Sequence, residues 1–363
     1  MISTETLTHN AIDVLKALIR IPSISRDEEA AADFIFNYLT AQGANPKRHH
    51  NNVWCEQPVP KGNHPTLLLN AHIDTVKPAA SWVHDPFTPT IEDDRLYGLG
   101  SNDCGGGLVT LMQVFLALKD DATLPYHLIF LASAEEEVSG KNGIESVLPL
   151  LPPIDVAIVG EPTGMQPAVA EKGLMVLDCT THGRSGHAAR NEGVNAIYKA
   201  LPCIEWFRTY QFEQQTDLLG PVKMSVTMVN AGTQHNVVPD TCQFVVDVRA
   251  NECYTNEELL SIIRQHLPDC DIMPRSTRLH SSHIDISHPI VQAAIAEGRT
   301  PFGSPTLSDQ ALMRFPSFKM GPGDSARSHT AEEFITLSEI REATEMYYFV
   351  HEFLSCYIRI VFY

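Results

Sequence analysis

Three short apolar runs in the first half of this 363-residue chain each end in a cluster of ligand-type side chains, and nothing else narrows the fold as much. Thr66-Leu67-Leu68-Leu69-Asn70 leads into Ala71-His72-Ile73-Asp74-Thr75, and His127-Leu128-Ile129-Phe130-Leu131-Ala132 into Ser133-Ala134-Glu135-Glu136-Glu137. Ile154-Asp155-Val156-Ala157-Ile158-Val159 leads into Gly160-Glu161-Pro162-Thr163. Runs of this length bounded by turn residues read as buried strands. Thr6 to Ile19, Ser25 to about Gln42, and Leu108 to Lys119 carry helical periodicity around them. Strands and helices in this alternation make an open α/β sheet, and ligands gather at the carboxyl ends of its strands. His72 and Asp74, two apart on an extended segment, face the same side. A metal-ligating imidazole needs a second partner for its other nitrogen, and Asp74 is placed to be one.

The length suits two domains. Lys and Arg number 26 against 44 Asp and Glu, a net charge of −18, which opposes a nucleic-acid or anionic-membrane surface. The N-terminus shows no basic segment followed by an apolar run, and no window reaches the ~18 apolar residues of a bilayer span. Cys55, Cys104, Cys179, Cys203, Cys242, Cys253, Cys270 and Cys356 form no Cys-x-x-Cys pair. They read as free thiols in a reducing cytoplasm, so a metal would be held by His and carboxylate.

After Lys172 the character changes. Strands at Leu174–Thr181, Val222–Val229, Thr241–Val248 and Asp271–Leu279 alternate with helices at Val194–Phe207 and Asn256–His266. The order β-α-β-β-α-β is that of a compact two-layer unit of ~100 residues. The division is therefore 1–172 with 283–363 around an inserted 173–282. A long helix from Leu337 to about Phe353 closes the chain, and the apolar end, Ile358 to Tyr363, reads as odd for a free tail and open to a last strand.

His72, Asp74, Asp103, Glu135, Glu136, Glu161 and His329 stand at the polar strand ends and in the loop that enters through Gly321-Pro322-Gly323. Two histidines with several carboxylates suit Zn²⁺, Co²⁺ or Mn²⁺. Each residue has a plainer reading: Asp103 as a helix cap, Glu135 to Glu137 as a solvated face, His329 as a surface histidine.

Taken together the motifs resemble those of the acetylornithine deacetylase and succinyl-diaminopimelate desuccinylase group, di-zinc amidohydrolases related to aminoacylase and carboxypeptidase-type enzymes. The matching pieces are Ala71 to Val76, Trp82 with Asp85-Pro86-Phe87, Leu96 through Asp103, Ala134-Glu135-Glu136, Gly160 to Thr163, Gly183 to His187, Asn236 to Pro239, and Gly321 to His329. They recur in family order across nearly the whole chain.

The resemblance implies a mixed-sheet di-metal catalytic domain with a ferredoxin-like lid that also dimerises. It implies His72, Asp103 and Glu161 as ligands of one metal ion and Asp103, Glu136 and His329 as ligands of the second, with Asp103 bridging. Asp74 would orient His72, and Glu135 would be the general base. His187 would reach across a homodimer to a developing oxyanion. Asn236 would lie near the substrate pocket, and Arg249 would grip a substrate carboxylate. The activity implied is hydrolysis of an N-acyl amino acid, of the arginine-biosynthesis type acting on N-acetyl or N-succinyl ornithine or citrulline. Succinyl-diaminopimelate desuccinylase, a metallo-dipeptidase and a silent ligand-binding relative are the alternatives. The chain departs from the family at Leu99, where an Arg is usual, and at Cys104-Gly105, where Met-Lys is usual, losing two positive charges beside the metals.

Overall fold

The computed structural model describes residues 3–58, 64–190 and 192–362. The chain divides into two compact units, one of residues 1–169, 284–302 and 308–363, the other of 170–283 with 303–307.

The first unit is a mixed α/β structure on a mixed sheet. Thr66–His72 lies at its centre, parallel to His127–Ser133 on one side and to Val156–Val159 on the other. Ser317–Lys319 continues the parallel set beside Val156–Val159, and Asn52–Glu56 adds an antiparallel strand beyond His127–Ser133. Every residue of the two long central strands is buried, as their continuous apolar runs require. The register aligns the strand ends: His72 pairs with Ser133, Asn70 with Val159, and Val159 with Lys319. Chain leaving these ends therefore emerges along one edge, with residues 72–75, 133–137, 160–163 and 320–329 side by side.

Helix Thr4–Ile19 starts on a Ser3 cap whose hydroxyl accepts from the Thr6 amide at 3.2 Å. It buries Leu7, Ala11, Val14, Leu15 and Ile19, the one-sided stripe that its periodicity foretells. Helix Gly106–Leu118 is buried almost all round. Its entry explains the glycine run: a Cβ on Gly107 would lie 1.7 Å from the Gly160 carbonyl oxygen. Only glycine lets the helix start touch the end of Val156–Val159, which brings the segment carrying Asp103 up to the one carrying Glu161.

The second unit is a four-stranded antiparallel sheet in the order Lys223–Ala231, Thr241–Ala250, Gly173–His182, Asp271–Pro274, with helices Ala196–Thr209 and Asn256–His266. Alternate residues Met175, Leu177 and Cys179 of one strand and Cys242, Phe244, Val246 and Val248 of its neighbour face a common core. The helices close it with Ala196, Ala200, Phe207, Leu259 and Ile263. Thr255 and Glu258 form a reciprocal capping box at the second helix.

Two expectations differ from the structure. The strand read as Asp271–Leu279 stops at Pro274, whose ring removes an amide from the ladder. The terminal helix runs on as Leu337–Phe362, so the apolar end is helical rather than a strand; Tyr363 lies outside the described residues. Among the described residues no helix is long and apolar enough to cross a membrane, and the described cysteines are all free.

Candidate metal centre

His72 ends the central strand and is 2% exposed, so its ring has little freedom to turn. Its Nε2 lies 3.2 Å from Asp103 Oδ1 and 3.7 Å from Glu161 Oε1. Its Nδ1 lies 2.9 Å from the backbone carbonyl of Asp74 and 3.5 Å from the Asp74 carboxylate. Asp74 therefore meets the expected second contact of His72 chiefly through its main chain. Its carboxylate serves a different purpose, accepting the amides of Glu136 at 3.0 Å and Glu137 at 3.1 Å and the Ser25 hydroxyl at 2.7 Å. One buried carboxylate thus fixes the turn that follows strand His127–Ser133.

That turn decides which of the three glutamates faces His329. Glu135 takes a left-handed conformation, φ 56°, as the strand ends. Its carboxylate turns to Asn142, accepting from the side-chain amide at 3.1 Å and the backbone amide at 3.4 Å, and packs over Gly140, where a Cβ would lie 1.8 Å from Glu135 Oε2. The short 3₁₀ turn Glu136–Val138 then carries Glu137 to His329, whose Nε2 lies 2.8 Å from Glu137 Oε2 and 3.5 Å from Asp103 Oδ2. His72, Asp103 and Glu137 each offer a ligand atom within 4.8 Å of one another, as do His72, Cys104 and Glu161. Glu137, not Glu136, stands against His329, and Glu135 is outside the cluster.

Glu136 remains beside the cluster. Burial pushes its carboxyl well above the usual range; His72 opposes this, and Glu161, Asp309 and Glu137 add to it. Glu161 is pushed up to about 8 by burial and by the Asp103 charge, against His72 and Lys319. The contact with Glu137 raises His329 to about 9. Several carboxylates gathered in a poorly solvated space without enough cations give this pattern. Glu161 Oε1 is also buried without a hydrogen-bond partner among the described residues. An oxygen-rich donor set with two imidazoles and an orphaned carboxylate oxygen fits divalent metal ions of the zinc, cobalt or manganese kind.

The loops that carry the ligands are tied to one another. The Glu333 carboxylate, 1% exposed, accepts the amides of Gly100 at 3.1 Å, Asn102 at 2.8 Å and Asp103 at 2.9 Å. Asn102 in turn accepts the Asp324 amide at 3.0 Å and donates to the Asp324 carbonyl at 3.1 Å. The segment of Asp103 and the segment of His329 are thereby held as one piece. Cys104 accepts the His72 amide at 3.2 Å and is 1% exposed. Burial pushes its thiol up, so it stays protonated.

The other expected residues lie in the second unit. His187 is exposed on Gly186–His187, paired with Val237–Val238, and its Nδ1 accepts the Ala189 amide at 3.1 Å. The Asn236 carbonyl accepts the Ala188 amide at 3.0 Å. Arg249 is held in a two-pronged ion pair with Asp247 at 2.8 and 3.1 Å, a partner its i, i+2 spacing on one strand face supplies. Glu137 and Glu333 were not among the expected functional residues. A third Glu in the run was a visible signal for the first, but the left-handed turn that selects among the three was not.

Three solved structures show the breadth of the fold. Aminopeptidase PepT from Bacillus cereus is 18% identical, with a TM-score of 0.76 over 96% of this chain and 98% of that one. The YXEP protein of Bacillus subtilis, a dinuclear metal-binding peptidase of the M20 family, is 16% identical, with a TM-score of 0.73 over 96% and 98%. Human carnosine dipeptidase 1 is 16% identical, with a TM-score of 0.63 over 97% of each chain. Residues 68–352, well over half of the sequence, match the model of Peptidase family M20/M25/M40. The chain belongs to that metallopeptidase family and is a hydrolase.

Proposed function

We propose that the protein is a deacylase that hydrolyses the amide bond of an N-acyl amino acid, acetylornithine deacetylase-like, with N-acetyl or N-succinyl ornithine or citrulline as substrates. The observation that carries the chemistry is the short turn that sets Glu137 against His329 and leaves Glu136, a half-buried carboxyl, beside the cluster. His72, Asp103 and Glu161 would hold one divalent ion, and Asp103, Glu137 and His329 the second, with zinc as the ion. When bound, such ions supply Lewis acidity toward an amide carbonyl and toward water.

Glu136 takes the proton of the attacking water and hands it to the departing amine, a transfer worth ~10²–10⁴ in rate. The Asp74 carboxylate keeps Glu136 and Glu137 in place through their amides. His187 donates to the oxyanion from a partner subunit, Asn236 lines the pocket, and Arg249 exchanges Asp247 for the substrate α-carboxylate. The second unit acts as lid and dimerisation surface, a reading supported by exposed apolar residues Tyr198 and Leu201 on helix Ala196–Thr209 and Met228 and Val229 on edge strand Lys223–Ala231. Free thiols among the described residues suit a cytoplasmic setting.

The test is amine release from N-acetyl and N-succinyl ornithine, citrulline and diaminopimelate, and from dipeptides, with metal-loaded and chelator-treated protein. Metal-dependent release from an acylated ornithine or citrulline supports the reading. Release from diaminopimelate derivatives or dipeptides alone would replace it with a desuccinylase or dipeptidase.

A further inference from the structure

A cleft of about 580 Å³ in the first unit is lined by Arg26, Glu29, Arg48, His50, Asn51, Ala134, Glu135 and Asn142. Apart from Ala134 its lining is wholly polar or charged, and none of these residues is a proposed metal ligand. Its floor is built on a fully buried carboxylate. Glu28, 0% exposed, accepts the Arg26 amide at 2.6 Å, the Asn51 side-chain amide at 3.0 Å and the Glu135 amide at 3.2 Å. One side chain thus pins three segments of the wall.

Three of the eight non-glycine residues with positive φ among the described residues, Arg26 at 77°, His50 at 51° and Glu135 at 56°, sit in this wall. L-residues with side chains enter that region reluctantly, and clusters of such positions mark places where side-chain direction matters. The Arg48 guanidinium is fixed by Asp33, by the His50 carbonyl at 2.7 Å and by Asn51 Oδ1 at 3.0 Å. The Arg26 and Glu29 side chains, by contrast, make no hydrogen bond or ion pair among the described residues. Opposite charges face the same space without being spent on each other.

We propose that this cleft is a second binding site, for a free α-amino acid. The α-carboxylate is received by Arg26 with His50, and the α-ammonium by Glu29 and the buried Glu135. A polyanion meets Glu29 and Glu135, a polyamine meets Arg26 and Arg48, and an apolar ligand finds no apolar wall; a zwitterion satisfies both signs.

The test is calorimetric titration of the metal-loaded protein with L-alanine, L-glutamate and L-arginine, each beside its N-acetyl and its carboxamide derivative. The expected result is binding of at least one free amino acid and loss of that binding on blocking either end. Arg26→Ala and Glu29→Ala, both at exposed positions, should weaken it about tenfold or more while leaving kcat/KM unchanged, and Arg26→Lys should restore most of it. Binding that survives both substitutions belongs to the catalytic centre and overturns the proposal. Blocked ligands that bind as well as free ones, or no binding at millimolar ligand, overturn it too.

Discussion

Glu333→Gln probes how the Asp103 loop is held. The Glu333 carboxylate sits in the interior, accepting three backbone amides, and burial with the nearby Asp103 charge raises it from 4.5 to about 7 against the pull of those amides. Between those two pH values the folded protein binds more protons at this position than the unfolded chain does. Stability contributed by the group is present below 4.5 and lost as pH rises through 7. A difference of 2.5 pH units corresponds to about 3 kcal/mol. Glutamine is uncharged and carries no such dependence; its carboxamide oxygen can accept the Asn102 and Asp103 amides as one Glu333 oxygen does, while its NH2 cannot accept the Gly100 amide, a loss that is the same at every pH. In chelator-treated protein the stability of the variant relative to the parent should therefore rise by up to about 3 kcal/mol between pH 4.5 and pH values above 7, whatever the offset at pH 4.5. Urea denaturation of both proteins across that range reads the difference directly. A difference between variant and parent that stays constant across that range, or that falls as pH rises, would refute the reasoning, because the three amides would then be shown to hold the carboxylate ionised.

Three further outcomes follow from packing and burial. Gly107→Ala drives a Cβ into the Gly160 carbonyl, so the helix entry must shift; a loss of about 3 kcal/mol and reduced metal content are expected by denaturation and elemental analysis. Phe207→Ala in the core of the second unit should cost ~3–5 kcal/mol in a thermal or urea melt, since the ring is 2% exposed and stacks edge-on against Phe244. Cys55 and Cys270 are buried and their thiols are pushed up to about 12, so alkylation of native protein at pH 8 should leave them intact and modify the less buried Cys253 first, as peptide mapping would show.

Much of this architecture was legible in the chain because single physical rules governed it. The apolar runs at Thr66, His127 and Val156 can be satisfied only as buried strands, and their alternation with helices brings polar strand ends to one edge. The glycine run before helix Gly106–Leu118 announced a close approach, though not its partner, Gly160, which is distant in sequence. What could not be read was the choice among three consecutive glutamates. It rests on one left-handed residue at Glu135, held there by Glu28 from an earlier loop and by Asn142 from a later one. The same holds for Asp74, whose spacing from His72 suggested a side-chain orienter. In the fold its carbonyl takes much of that part and its carboxylate secures the glutamate turn. The Arg249–Asp247 pair was open to inspection as an i, i+2 charge pair on a strand.

The roles of the glutamates are the centre of the account, and metal content measured beside turnover tests them most directly. Glu135→Gln, Glu136→Gln and Glu137→Gln would each be loaded with zinc, dialysed, and assayed for bound metal and for amide hydrolysis. Glu136→Gln should keep its metal and lose ~10²–10⁴ in kcat. Glu137→Gln should lose bound metal, and Glu135→Gln should keep both metal and most of its activity. Metal loss in Glu136→Gln with metal retained in Glu137→Gln would contradict the assignment and return the ligand role to Glu136.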